Sequence, residues 1–431
     1  MQGLADRTLS DWLTYIESVH PRMIDLSLDR PRRVLHCLRP NIPKVVITVA
    51  GTNGKGSTVS MLDAVYRAAG YRVGTYTSPH LVHYRERIRI NGSTASDDSL
   101  CQAFHNINQV RGAIPLTYFE FGTLAAVEIF SNASLDVWIM EVGMGGRLDA
   151  VNVLEPDLAI ITSVDLDHQT WLGDSRDAIA KEKAGILRFK GRAVVSDPTP
   201  PEALLSRLGT LQCELRLMNR DFRMDAATTG KWGFSPVGPA WREPSLIGDL
   251  EINASSPTWA QNIGGSLAAL RMLEDELPVA PKHLEVLQTL TLPGRQQRNE
   301  GAITTWFDVS HNLQAATALA GQLCAEPIAG KTRAVFAMLE DKDIAGTVAV
   351  MRDCIDYWYP AALSGPRTIS ASDFRSALDG LRVAHQGFSA SPREAYRMAV
   401  EASEAGDRVV VFGSFYLVGD ILDTQLERTP G

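Results

Sequence analysis

Ile47-Thr-Val-Ala-Gly-Thr-Asn-Gly-Lys-Gly-Ser-Thr58 decides how this chain is read. An apolar run ends at Ala50, a glycine-rich turn follows, and then come Lys55, two hydroxyl residues and an amphipathic stretch. Glycines let backbone N–H groups approach phosphate oxygens closely, and a helix N-terminus favours negative charge. Lys55 is spaced to reach the β/γ-phosphates of a nucleotide, and Ser57 or Thr58 to face a metal. The spacing departs from GxxxxGK[ST], because two residues separate Gly51 from Gly54 and Gly56 stands before Ser57. An incidental glycine turn is the competing reading. It leaves the ordered succession of strand, turn, lysine and helix without a cause.

Working outward, Val137–Val142 and Leu158–Val164 repeat the short apolar run of Val45–Ala50, and Val335–Met338 and Val409–Phe412 do so again later. Amphipathic stretches at Thr58–Ala69, Phe121–Phe130 and Arg176–Leu187 fall between the early runs. This alternation predicts an α/β class with parallel sheets covered by helices. Leu292-Pro-Gly-Arg-Gln-Gln297 stops a helical stretch ending near Leu290, and a new alternation opens near Ile303. The expected division is a large P-loop-type ATPase domain over 1–291, a hinge over 292–298 and a smaller Rossmann-like domain over 299–431. Residues 217–260, rich in Gly, Pro and Trp, resist assignment.

The 431 residues carry a net charge of −8 without a large Lys/Arg cluster, which argues against nucleic acid as the main partner. No run of about 18 apolar residues occurs, so no membrane span is expected. The N-terminal stretch lacks a signal-peptide core. The five cysteines are dispersed without a CxxC pair, the pattern of reduced thiols. A cytoplasmic location is expected.

Further chemistry gathers at strand ends. Glu141 interrupts the run Val137–Val142 at its C-terminal end, where open α/β sheets place ligands, and a carboxylate buried there needs a metal, a backbone donor or Arg147. Gly143, Gly145 and Gly146 then permit close approach of a ligand. In Thr162-Ser-Val-Asp-Leu-Asp-His168, His168 is either a metal ligand or a structural histidine. Lys183 reads by default as a solvated surface lysine. In Phe307-Asp-Val-Ser-His-Asn312, Asp308 and His311 could contact a nucleotide or a second substrate, or serve as a helix cap and a buried histidine.

Nine segments in order resemble the folylpolyglutamate synthase family of the Mur ligase superfamily: GTNGKGS (51–57), TSPHL (77–81), LTYFEFGTLAA (116–126), EVGMGGRLDA (141–150), the stretch ending at His168, EKAGI (182–186), LPGRQQ (292–297), DVSHN (308–312) and VFAMLEDKDI (335–344). The resemblance implies ATP phosphates on Asn53, Gly54, Lys55, Gly56, Ser57 and Thr58, with Asn262, Arg295 and Asp308 completing the nucleotide site. It implies two Mg2+ ions, one through Ser78 and Glu141 and one through His168, with a carbamylated Lys183 organising the second. L-glutamate would meet His311 and its neighbours. Lys55, Lys183 and His311 are the expected catalytic residues.

The family's bifunctional bacterial members make dihydrofolate from dihydropteroate and glutamate, then lengthen the folate tail. Their pterin pocket matches Ile24, Asp25 and Leu26 together with Thr117, Tyr118, Phe119, Glu120 and Asn152, so both activities are expected here. Asp25 would accept ring N–H bonds, or cap a helix. Three departures stand out. Ser310 and Leu313 replace the family's alanine and proline, Ile263-Gly-Gly follows Asn262, and Arg85 precedes Glu86. Competing readings are tail extension alone, a P-loop switch without ligase chemistry, and a peptidoglycan-precursor ligase. The last needs a nucleotide-sugar domain that about 50 residues before the loop cannot form. The expected partners are small molecules, with the chain acting as a monomer.

Overall fold

The structure, a computed structural model, describes residues 7–228, 231–238, 241, 251–365 and 368–427. The chain divides into two compact units. The first is Met1–His80, Tyr84–Asp165 and Gln169–Leu290; the second is Leu81–His83, Leu166–His168 and Thr291–Gly431. Two short segments thus depart from their sequence neighbours, which a linear reading does not anticipate.

In the first unit, strands β1 (Val45–Ala50), β2 (Val73–Tyr76), β3 (Ile88–Ile90), β4 (Ser93–Thr94), β5 (Val137–Glu141), β6 (Leu158–Ile161), β7 (Arg192–Val195) and β8 (Glu214–Leu217) form one sheet in the order β4-β3-β2-β5-β1-β6-β7-β8. The six strands from β2 to β8 pair in parallel, whereas β3 and β4 form an antiparallel edge. Every residue of β1 and β5 is buried. Strands covered on both faces read as continuous apolar runs, which is why these were legible. On one face Trp138 and Met140 join Phe121 and Leu124 of the helix Tyr118–Ser131 in a single core.

Residues 217–260 contain a small antiparallel sheet of β9 (Phe222–Thr228), β10 (Lys231–Pro236) and β11 (Glu251–Asn253). Its strands carry polar and charged residues on an exposed face, so no apolar run marked them. Part of that stretch lies outside the described residues.

The second unit holds β12 (Gln297–Asn299), β13 (Thr304–Asp308), β14 (Thr332–Phe336), β15 (Tyr357–Pro360) and β16 (Arg408–Phe412), ordered β12-β13-β16-β14-β15. All pairs but β12–β13 are parallel. Strand residues alternate between two cores: Trp306, Phe336, Trp358 and Phe412 face one side, and Phe307, Val335, Tyr359 and Val411 the other. Among the described residues, no helix is long and apolar enough to cross a membrane.

Candidate active site

Strand register builds the first cluster. Parallel pairing sets Glu141 opposite Val49, and Ile161 opposite Ala50. The glycine loop after β1, the Glu141 carboxylate and the Thr162–Ser163 turn therefore share the carboxyl edge of the sheet, where such folds place ligands. The turn after β6 fixes the loop. Asn53 N donates to Ser163 Oγ at 3.0 Å, Thr162 Oγ1 donates to Asn53 O at 2.6 Å, and Thr52 N donates to Ser163 O at 2.7 Å. Lys55 Nζ folds back onto Gly51 O and Thr52 O, at 3.0 and 3.2 Å.

Gly54 takes φ +87° at the N-cap of the helix Lys55–Ala68, and Asn262 stands where a Cβ on Gly54 would project. The buried Asn262 side chain from the helix Pro257–Met272 thus lies directly against the loop. Ser57 is buried on the first turn, and the buried Thr58 Oγ1 has no hydrogen-bond partner among the described residues. An orphaned hydroxyl beside a phosphate-type loop fits a ligand or metal supplied from outside the chain.

Glu141, 3% exposed, accepts the Ser78 backbone N–H at 3.0 Å. Arg147 pairs instead with Glu182 at 2.9 Å, which removes the reading that it neutralises Glu141. At Gly146 a Cβ would meet the carbonyl oxygens of Glu182 and Lys183 at 2.9 and 3.0 Å. The glycine therefore lets the helix Arg176–Lys183 sit tightly on this loop. Lys183 is 3% exposed, which overturns its default reading as a solvated surface lysine. Asn152 ties the same region together, donating to Arg147 O at 3.0 Å and Gly185 O at 3.1 Å while accepting from Arg188.

Asp149, unassigned from sequence, is buried beneath this loop and accepts N–H bonds from Met144 and Val151, both at 2.9 Å. Burial pushes its pKa up to about 6, against those backbone donors and the charge of Lys55.

The segments matching a pterin pocket meet through Arg30, which sequence reasoning missed. Its guanidinium donates to Asp25 Oδ1 at 3.2 Å and to Glu120 Oε2 at 3.3 Å. Asp25 also faces His20 and Arg22, at 3.6 and 3.8 Å. The helix Asp29–Leu38 has Leu28 as its N-cap without a side-chain cap, so Asp25 does not cap it. Thr117 and Glu120 form the capping box of the helix Tyr118–Ser131. Tyr118 packs on Tyr84 and Phe119 on Tyr76, while Ile24 and Leu26 are half-buried in the loop.

His168, Arg295, Asp308 and His311 belong to the second unit. Asp308 ends β13, and its carboxylate accepts the backbone N–H groups of Gln296 and Ser310, each at 2.9 Å, and the Ser310 hydroxyl. Asn312, not Asp308, caps the helix Leu313–Ala325. The rings of His311 and Phe415 lie 5.8 Å apart, and the Arg295 guanidinium lies 5.4 Å above Phe415. His311 bonds Val309 O through Nδ1 at 2.9 Å and turns Nε2 towards Asp167, 3.6 Å away. Asp167 also receives Asn312 Nδ2 at 3.1 Å and Lys342 Nζ. Burial opposes its charge, yet the neighbouring His311 and the charges of His168 and Lys342 hold the carboxyl far below the usual range. Asp167 and Lys342 sit inside quoted motifs, but nothing in the spacing couples residues so far apart.

Residues 49–200 match the Mur ligase middle domain, and residues 294–415 match the Mur ligase glutamate ligase domain. The dihydrofolate synthase/folylpolyglutamate synthase of Escherichia coli is 40% identical over 98% of this chain and 97% of its own length. The chain belongs to the dihydrofolate synthase/folylpolyglutamate synthase family. Solved structures of this family superpose along nearly the whole chain. E. coli FolC in complex with DHPP and ADP has a TM-score of 0.91 at 37% identity, covering 98% of this chain and 99% of that one. A bifunctional folylpolyglutamate synthase/dihydrofolate synthase with Mn, AMPPNP and L-glutamate bound has a TM-score of 0.87 at 37% identity, covering 99% and 100%.

Proposed function

We propose that this chain is an ATP-dependent ligase that adds L-glutamate to dihydropteroate, forming dihydrofolate, and to reduced folates, through an acyl phosphate. The observation that carries the reading is the β1–β5 register, which sets the phosphate-type loop and Glu141 on one sheet edge in a chain 40% identical to a dihydrofolate synthase/folylpolyglutamate synthase.

The substrate carboxylate attacks the γ-phosphorus of ATP, releasing ADP and giving an acyl phosphate. The glutamate amine attacks the acyl carbon, and the tetrahedral adduct expels phosphate. Asn53, Gly54, Gly56, Ser57, Thr58 and Asn262 cradle the nucleotide, with Arg295 and Asp308 as further contacts. Lys55 leaves its carbonyl partners to meet charge building on the transferred group. Magnesium, when bound, neutralises phosphoryl oxygens and orients them. Ser78 and Glu141 would hold one ion and His168 a second. Lys183 is buried, and by resemblance we assign it a carbamate, which would supply an oxygen ligand. His311 orients L-glutamate. Residues 292–298 serve as the hinge, and the chain acts as a monomer on small molecules.

Dihydropteroate enters beside Asp25, which would accept ring N–H bonds, with Ile24, Leu26, Thr117, Tyr118, Phe119, Glu120 and Asn152 forming or supporting the pocket. The Arg30 bridge brings the two matching segments together, and the 40% identity to a dihydrofolate synthase/folylpolyglutamate synthase supports this reading over tail extension alone. The test is glutamate-dependent ADP release with magnesium-ATP, comparing dihydropteroate with tetrahydrofolate. Turnover of both is expected. Turnover of tetrahydrofolate alone would leave only tail extension, and turnover of neither would refute the reading.

A further inference from the structure

Two of the five dispersed cysteines meet in the second unit. Cys324 lies on the last turn of the helix Leu313–Ala325, and Cys354 ends the short 3-10 helix Arg352–Cys354. Their Sγ atoms are 2.7 Å apart. Both are free thiols, and this contact puts them within reach of a disulfide, whose S–S length is roughly 2.05 Å. Cys354 also points its S–H at Ala320 O, 3.6 Å away, which seats the side chain on the helix that carries Cys324. Arg408 clamps that helix end from the other side, donating to Glu326 O at 2.9 Å and Leu323 O at 3.4 Å.

We propose that Cys324 and Cys354 are a reversible dithiol–disulfide pair, a modification site whose oxidant is a low-molecular-weight disulfide. Cys324 is exposed and meets the oxidant first, whereas Cys354 is half-buried behind it. Burial, and then the hydrogen bond with Cys324, push the Cys354 thiol up to about 12. The Arg408 guanidinium lies near Cys354, and its positive charge works against the upward push of burial there.

In the first exchange the Cys324 thiolate attacks one sulfur of the oxidant, giving a mixed disulfide and one small thiol. Cys354 then loses its proton and attacks Cys324 Sγ, displacing the second small thiol. Two protein thiols are oxidised and one small disulfide is reduced to two thiols. The pair is preorganised, so the second step is intramolecular and fast relative to attack by a further molecule. A 13-residue helix spans roughly 20 Å, which separates this bond from Asn312 and His311 at its other end. The bond therefore fastens the domain and leaves ligase turnover unchanged.

The full-length protein is incubated with oxidised glutathione, unfolded in denaturant and assayed for free thiols, with a non-reducing peptide map alongside. Free thiols should fall from five to three, with one cross-linked peptide joining Cys324 to Cys354. The urea midpoint should rise and return on adding dithiothreitol. Cys324→Ser should show neither the cross-link nor the shift, and Cys354→Ser should stop at a mixed disulfide on Cys324. Retention of five thiols, a cross-link through Cys37, Cys101 or Cys213, or a wild type that stops at the mixed disulfide would overturn the proposal.

Discussion

The carboxylate of Glu141 accepts the backbone N–H of Ser78 at 3.0 Å. Two residues 63 positions apart are joined because β2 and β5 are parallel neighbours whose carboxyl ends coincide. One Glu141 oxygen is thus held by the chain, and under the proposed function the same carboxylate would serve a divalent ion. Glu141→Gln keeps an oxygen for the Ser78 N–H but removes the charge. The magnesium concentration for half-maximal activity should rise about 10–100-fold, the range typical of a damaged metal site, with the fold intact by circular dichroism. An unchanged magnesium requirement would remove Glu141 from the metal site.

Gly54→Ala puts a methyl group where Asn262 stands, on a residue with φ +87°. The left-handed conformation alone costs about 1–2 kcal/mol for a residue with a Cβ. Urea unfolding should register that loss, and the ATP KM should rise because Asn262 and the loop are displaced together. Asn262→Gly in the same background makes room for the methyl group and should recover part of the stability but not the ATP affinity. Full recovery of both would mean that Asn262 has no role at the nucleotide.

Arg30 holds the buried Glu120 and the half-buried Asp25 at once. Arg30→Ala leaves both carboxylates short of a partner and should cost about 2 kcal/mol of stability, the size of a charged hydrogen bond. Asp25→Ala should cost less stability, and should reduce turnover of dihydropteroate more than turnover of tetrahydrofolate. Equal losses with both substrates would assign Asp25 to the Arg30 network alone.

Much of this was legible in the sequence, for a physical reason. Strands buried on both faces, such as β1 and β5, are uninterrupted apolar runs, and the residues that follow them in the chain lie at the sheet's carboxyl edge. The placement of Glu141 at the end of β5, of Lys55 after β1 and of Asp308 at the end of β13 is therefore legible from position alone. Strands β9 to β11 were not, because a half-exposed antiparallel sheet mixes polar residues into every strand. Lys183 reads locally as a surface residue, whereas the backbone at Glu182 and Lys183 packs closely on Gly146, 37 positions earlier, and the lysine side chain is buried. Arg30, the Asp167–Lys342 pair and the Cys324–Cys354 pair escaped for the same reason: contacts between distant segments leave no local pattern.

Asp149 supplies a pH test. Its folded pKa of about 6 lies above the ordinary 3.8, so between those values the unfolded carboxyl is ionised while the folded one keeps its proton. The folded state gains fully below the ordinary value and loses that gain as pH rises through about 6. The full change is about 3 kcal/mol. Compared with Asp149→Ala, the wild type should therefore lose stability from pH 4 to pH 6.5 in urea titrations without magnesium. Parallel pH profiles for the two proteins would show that Asp149 is ionised in the fold throughout.

Transfer of oxygen tests the account most directly. Dihydropteroate carrying 18O in its carboxylate is turned over with magnesium-ATP and L-glutamate, and the released phosphate is analysed by mass spectrometry. An acyl phosphate requires one 18O to leave with each phosphate. Unlabelled phosphate, with dihydrofolate formed at the same rate, would contradict activation of the carboxylate by ATP and with it the role given to the loop, Lys55 and Glu141.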